Sequence, residues 1–379
     1  MVKIFQNSAL ILVFISVFAC KKSNENTQKG KIIANQYAKG FLIEDFGDYK
    51  ILSLLQPYTD RQDTIRFIIA KDKEKLGAKV ASSRFIQVPI NKIICTSTTQ
   101  IALLEALGSL DVLKASNSLD YVYSEKVRKL AEIGKIVPLA EQSIELEKIL
   151  ALQPNLVMVS GMQASQMANY QKVIEAGIPV FINSEWLETH PLGKAEWIKV
   201  MGLLLDKEAE AQKYFQEIVE KYENIKSLVS KKGTKVKVAI GTPQKEQWYV
   251  PAGESFGAVF LADAGAEYAF ADAKGVGSLQ MSRELVFSKF ADAKVWLNAE
   301  LPEQADTKFF CDFDKFLAVK NTQIYDRKQR ISPKGGNDYW ESAVIHPELV
   351  LADLVKILHP ELLPNHTLTY YRKVLLACP

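Results

Sequence analysis

The stretch that most constrains this chain runs from about Asp206 to Ser230, DKEAEAQKYFQEIVEKYENIKSLVS. Apolar residues recur at Tyr214, Phe215, Ile218, Val219, Tyr222, Ile225, Leu228 and Val229, which is one stripe of a 3.6-residue helix. Lys213, Gln216, Glu217, Glu220, Lys221 and Glu223 fill the opposite face, with Glu217 and Lys221 at a favourable i,i+4 spacing. Asp206 is placed to cap the start, and Lys231-Lys232-Gly233 to stop it. Such a helix is roughly 35 Å long, about the width of a small domain. Both flanks alternate short apolar strands with helices, and neither continues the other. The helix therefore reads as a rigid strut, 206–232, joining two α/β lobes with a cleft between them. The lobes are expected at 31–205 and 233–379, each with a central, mostly parallel sheet.

A chain of 379 residues is long enough for two domains. Its net charge of +3 is small, and its Lys and Arg residues are scattered among acids. That is a solvated surface, so no nucleic-acid partner is expected.

The N-terminus has a processing signature. Lys3 is followed by the apolar run Ala9–Ala19 and then Cys20. The run is too short to span a bilayer and has the length of a signal-peptide core. Val17-Phe18-Ala19-Cys20 resembles a bacterial lipobox, which implies a signal peptide over 1–20 and lipid modification of Cys20. Residues 21–30 (KKSNENTQKG) are polar and unperiodic, a flexible tether. The expected location is the periplasmic face of a bacterial membrane, lipid-anchored. Of the remaining cysteines, Cys95 lies in an apolar strand, while Cys311 and Cys378 could pair in an oxidising compartment. The four histidines show no metal-ligand pattern, and no cofactor is expected.

The stretch 31–90 is β-rich (FLIEDF, YKILSLL, TIRFIIA) and reads as an extension of the first lobe. The lobe proper begins with the buried strand Ile93-Ile94-Cys95, followed by Thr96-Ser97-Thr98-Thr99 and the helix QIALLEALG. Hydroxyl residues at a strand-to-helix turn either cap the helix or face a ligand at the carboxyl ends of the strands, and both readings stand for Ser97. The strand VLKA leads to Ser118, Asp120 and Tyr121. LEKILALQPNLVMVSGM gives a helix, a turn and a strand ending in Gly161-Met162. ASQMANYQKVIEAG reads as a helix, and the strand IPVFIN ends at Ser184-Glu185-Trp186. After the strut the pattern repeats, with VKVAIG, a loop carrying Trp248 and Tyr249, the helix ESFGAVFLADAGA, further strands, and HPELVLADLVKILHP.

An internal comparison adds one constellation. LEKILALQPNLVMV and RELVFSKFADAKVWL share a plan: a glutamate, a short helix, a turn, a strand. Glu147 and Glu284 each fall in the first turn of their helix. Carboxylates favour helix N-termini by dipole alone, which explains each glutamate but not their matching positions.

With the lipobox, the QPNLVMVSG signature, the long helix and the DYWE segment, the chain resembles the substrate-binding proteins of ABC importers for iron–siderophore complexes, haem or cobalamin. The resemblance covers roughly Lys92 to His359. It implies that Glu147 and Glu284 dock into the permease subunits, and that a large ligand is bound in a shallow cleft lined by aromatics. Candidates are Tyr121, Trp186, Trp248, Tyr249, Tyr339 and Trp340, with Ser97, Ser118, Asp120, Met162 and the acidic Asp338. Cobalamin-binding members carry an arginine where Ser342 stands and an aromatic where Glu141 stands, so a ferric siderophore is favoured over cobalamin. Arg283, Arg327 and Arg330 could offset the charge of an anionic ligand. A monomer is expected. The rival class is a bilobal α/β enzyme such as a chelatase or glycan hydrolase. HExxH, GxGxxG and the P-loop are all missing from the sequence, so a binding protein rather than an enzyme is expected.

Overall fold

The computed structural model of the chain describes residues 30–76, 84–117, 119–140, 144–161, 163–244, 247–300 and 307–376. The expected signal peptide, Cys20, most of the tether, Ser118, Met162 and Cys378 lie outside them. Cys95 is a free, fully buried thiol, and Cys311 is disulfide-bonded.

The β-rich stretch is a five-stranded sheet in sequence order: β1 (Lys31–Ile33), β2 (Phe41–Asp45), β3 (Lys50–Leu55), β4 (Thr64–Ala70) and β5 (Arg84–Gln87). The first four strands pair antiparallel, and β4 pairs β5 in parallel. The next sheet is wholly parallel: β6 (Ile93–Cys95), β7 (Leu113–Ser116), β8 (Val137–Pro138), β9 (Leu156–Ser160) and β10 (Val180–Asn183), in the order β10-β9-β6-β7-β8. Its strands are near-continuous apolar runs because both faces are covered. The intervening helices are α1 (Thr98–Ala106), α2 (Glu125–Glu132), α3 (Leu146–Leu152), α4 (Gln171–Glu175), α5 (Pro191–Glu196) and α6 (Ile198–Leu205). The helix expected over ASQMANYQKVIEAG is a 3₁₀ stretch, Ala164–Tyr170, followed by the short α4.

The extension belongs to this lobe. Phe41 meets Trp197 at 5.2 Å and Phe67 meets Phe181 of β10 at 5.4 Å. Two carboxylates from the α5 region hold the chain between β1 and β2. Fully buried Glu196 accepts the amides of Gln36, Tyr37 and Ala38, and pairs with Lys199 Nζ at 2.6 Å. Glu188 accepts the amides of Lys39 and Gly40 and the Trp197 indole N–H. A buried carboxylate surrounded by donors recovers the hydration it loses.

The strut α7 spans Glu208–Lys232 and ends at Gly233, whose φ of 70° lies in the left-handed region a helix stop requires. Its length at 1.5 Å per residue is roughly 37 Å. The cap differs from expectation. Asp206 is the left-handed terminus of α6 and pairs with Lys71, while Lys207 occupies the N-cap of α7. Phe215, Ile218, Val219 and Tyr222 are buried, and α7 packs against α6 and the C-terminal α11 (Pro347–Leu358, after α8 to α10 below).

Beyond the strut, a parallel sheet β14-β11-β16 is built from β11 (Val236–Ile240), β14 (Ala266–Tyr268) and β16 (Val295–Leu297). An antiparallel sheet, β12 (Pro243–Gln244), β13 (Gln247–Pro251) and β15 (Ser278–Ser282), flanks it. The helices are α8 (Phe256–Asp263), α9 (Arg283–Phe290) and α10 (Leu317–Lys320), and β17 (Tyr325–Asp326) pairs β18 (Arg372–Lys373). One hydrophobic core runs through both lobes and the strut. The molecule is thus two α/β lobes with parallel sheets joined by one long helix.

Candidate functional site

The lobes meet where the carboxyl ends of the N-lobe strands face the segment around Asp338–Trp340. Thr98 Oγ1, at the start of α1, donates to the Trp340 carbonyl at 3.2 Å. Glu341 reaches across to the N-terminus of α2, where it accepts the Tyr123 amide at 2.6 Å and the Ser124 amide at 2.9 Å. Arg330 lies over the Tyr123 ring at 4.9 Å, and Lys334 pairs with Asp120 at 3.0 Å. Glu341 is buried, and burial pushes its carboxyl up to about 7 against the pull of those two amides. Beside it a groove of about 610 Å³ opens between the lobes, lined by Tyr123, Arg128, Arg330, Asp338 and His346 among others.

Four large aromatic side chains stay exposed among the described residues: Tyr121 (57%), Trp340 (52%), Tyr249 (42%) and Trp186 (40%). Tyr121 follows β7, Trp186 follows β10, Tyr249 is on β13, and Trp340 is at the lobe junction. An exposed aromatic ring offers a flat face of large area on which a ligand can stack. Trp186 is held flat against the end of β9: a Cβ on Gly161 would fall 1.7 Å from its Nε1, so only glycine lets the ring lie there. Trp340 stands edge-on to Tyr339 at 5.0 Å, and the Arg327 guanidinium lies over both rings at 4.5 and 4.6 Å while pairing with Glu300.

Beside Tyr339 and Trp340 is a small pocket of about 60 Å³ that also touches Thr99, Lys194 and Phe256. Burial lowers the Lys194 ammonium, which rests 4.0 Å from the Phe256 ring. Burial likewise raises Glu185, which accepts from Thr99 Oγ1 and Asn183 Nδ2, both at 2.7 Å.

The other expected residues occupy different environments. Trp248 is a correction: it is 0% exposed, lies in a strand rather than a loop, donates to the Ile240 carbonyl at 2.9 Å and stacks on Trp296 at 5.5 Å. It is core, not cleft. Tyr339 and Asp338 are buried directly behind Trp340; burial raises the Asp338 carboxyl, and Arg330 pairs with it at 3.1 Å. Arg327 is thus committed to Glu300, Arg330 to Asp338, and Arg283 lies over Phe287 and Phe313. Ser97 caps α1, accepting the Thr99 amide, and Asp120 is exposed. Glu147 and Glu284 are both exposed in the first turns of α3 and α9. Thr98 lies in the hydroxyl turn and Glu341 in the DYWE segment, but their roles, like that of Lys194, were not anticipated, because their partners lie in distant segments. Among the described residues, no cluster of three His, Cys, Asp or Glu side chains is arranged to hold a metal ion. Nor is any described helix long and apolar enough to cross a membrane.

Comparison with known proteins agrees with this architecture. The chain is 29% identical over 316 residues to the uncharacterized lipoprotein MJ0878 of Methanocaldococcus jannaschii, covering 79% of this chain and 72% of that protein. Among solved structures, a possible iron-binding (periplasmic solute-binding) protein from Staphylococcus epidermidis superposes with a TM-score of 0.55 at 20% identity, covering 71% of this chain and 98% of that one. A periplasmic binding protein from Veillonella parvula reaches 0.57 at 14% identity, over 83% and 99%. The vitamin B12 binding protein BtuF of Vibrio cholerae gives 0.51 at 16%, over 71% and 96%. At these identities the superpositions speak for the fold. The sequence model of the periplasmic binding protein family matches residues 93–331, and the chain belongs to that family.

Proposed function

We propose that the chain is the solute-binding component of an ABC importer and captures a large chelated or planar ligand, an iron–siderophore-type complex, between its lobes. The observation that carries this reading is the set of four exposed aromatics, Tyr121 and Trp186 after β7 and β10, Tyr249 on β13 and Trp340 at the junction, in a family fold. Flat rings give large contact area at low entropic cost and suit a chelate or macrocycle. Tyr339, Asp338 and Ser97 act beneath them as support. The S. epidermidis neighbour is described as possibly iron-binding and the V. cholerae one as binding vitamin B12. Cobalamin or haem in the same role is the alternative. The ligand changes the angle between the lobes little, because the strut and a shared core resist hinge motion.

Glu147 and Glu284 are acidic knobs on separate lobes held at a fixed spacing, and they register on two basic pockets of the permease. A lipid on Cys20 confines the protein near that permease, raising its effective concentration.

Two measurements test this. Tryptophan fluorescence of the protein starting after Cys20 is titrated with a ferric tris-hydroxamate, a ferric tris-catecholate, haemin and cyanocobalamin, with inner-filter correction. Saturable one-to-one quenching by one of them is expected, and silence with all four overturns the ligand class. The double variant Glu147→Ala with Glu284→Ala should bind that ligand normally and fail to support uptake in cells. Loss of ligand affinity in the variant would count against docking.

A further inference from the structure

The strands ahead of residue 93 lie outside the family match, yet one of their loops is fastened close to Trp186 in the chain. Between β3 and β4 the chain turns through 56–63. Gln56 adopts a left-handed φ of 53°, and its amide donates to the Asp63 carbonyl at 2.8 Å, which closes the loop at its base. Pro57 and Tyr58 are buried, while Thr59 to Gln62 are exposed. The loop is fastened at two points. Ser184 Oγ donates to the Pro57 carbonyl at 3.1 Å, and Asp60 Oδ1 accepts the Ala164 amide at 2.9 Å.

Both fasteners are next to Trp186. Ser184 comes directly after β10, two residues before the tryptophan. Ala164 comes three residues after Gly161, the residue on which the indole rests. The sheet behind the loop is held by the Glu188 and Glu196 carboxylates and by Phe67 against Phe181 of β10. At the tip the Arg61 side chain is 57% exposed, yet it is steadied by Asp63 at 2.7 Å and by the Tyr58 ring at 5.2 Å. Gln62 is exposed beside it. A guanidinium and an amide together present several N–H donors. A donor already held in place loses less conformational freedom when it binds.

We propose that the Pro57–Asp63 loop is an outer wall of the ligand cleft beside Trp186, and that Arg61 and Gln62 donate hydrogen bonds to oxygen acceptors on the rim of the ligand. The inference rests on the functional reading above. It adds that the ligand is oxygen-rich at its periphery, with carbonyl, hydroxyl or carboxylate groups, and extends past the footprint of the two lobes alone.

The test is the variant Arg61→Ala with Gln62→Ala, which leaves both fasteners intact. The same four probes are titrated into wild type and variant, and amide exchange over 57–63 is followed with and without the probe that binds. For that probe the variant should bind roughly tenfold more weakly, the loss of about one charge-assisted hydrogen bond. Saturation should also slow exchange in the wild-type loop. Wild-type affinity in the variant, or exchange unaffected by ligand, overturns the wall while leaving the binding function intact. A wild type that binds none of the probes overturns the functional reading, and this inference with it.

Discussion

Consider replacing Glu341 by glutamine. This carboxyl ties the C-terminal lobe to the start of α2 through the Tyr123 and Ser124 amides. Its ordinary value of 4.5 is pushed up to about 7, chiefly by burial, with Asp338 and Glu105 adding in the same direction and the two amides opposing. Because the folded value lies above the unfolded one, its contribution to stability is fully present below pH 4.5 and is lost as pH rises through 7. At about 1.4 kcal/mol per pH unit, the gap amounts to about 3 kcal/mol. Glutamine has the same shape and nothing to titrate. The stability of wild type relative to Glu341→Gln should therefore fall by about 3 kcal/mol across that window and be level on either side of it. Urea unfolding of both proteins between about pH 4 and about pH 8 reads this, since every titrating group not coupled to Glu341 cancels in the difference. Parallel curves would refute the argument that burial dominates at Glu341. A difference growing in the opposite sense would mean that the two amides outweigh burial.

Two further substitutions separate cleft from core. Gly161→Ala puts a methyl group where the Trp186 indole lies, at a residue whose backbone any side chain can adopt. The indole should leave, red-shifting tryptophan emission and weakening ligand quenching, with little change in the melting midpoint. Trp248→Ala should do the reverse. It empties a site ringed by Trp296, Phe290, Phe313 and Phe316 and should cost about 3–5 kcal/mol in denaturant unfolding. Ligand affinity of the folded fraction should stay at its wild-type value.

The strut was legible because its apolar stripe is long and periodic, and long-period patterns survive tertiary context. β6, β7, β9, β10, β11 and β16 were legible as short apolar runs between helices, whereas β13, β14 and β15 were not. Trp248 was misread although a signal existed. Gln247–Pro251 is a strand, so adjacent side chains point to opposite faces, and Trp248 and Tyr249 could not both face a cleft. Asp338 was named from the family pattern, but no local feature announces that the chain folds back to set Arg330 beside it, with the Asp338 amide donating to the Arg330 carbonyl at 3.0 Å. Glu341 and Glu196 were beyond reach for a related reason. Their partners are 217 and 158 residues away along the chain, and a buried carboxylate is defined by the amides it meets rather than by its neighbours in sequence.

The grip that Glu188 and Glu196 exert on residues 36–40 also has a mechanical side. A pull on the chain ahead of Gly30 reaches β1 first, a three-residue edge strand whose few ladder bonds open one after another, like a zipper. The load then meets five consecutive amides anchored in two carboxylates of the α5 region. Those bonds share the force and must break nearly together. One of the carboxylates is also locked to Lys199. Such an arrangement behaves as a strain relief: a tugged leash can fray the first strand while the cleft behind it keeps its shape.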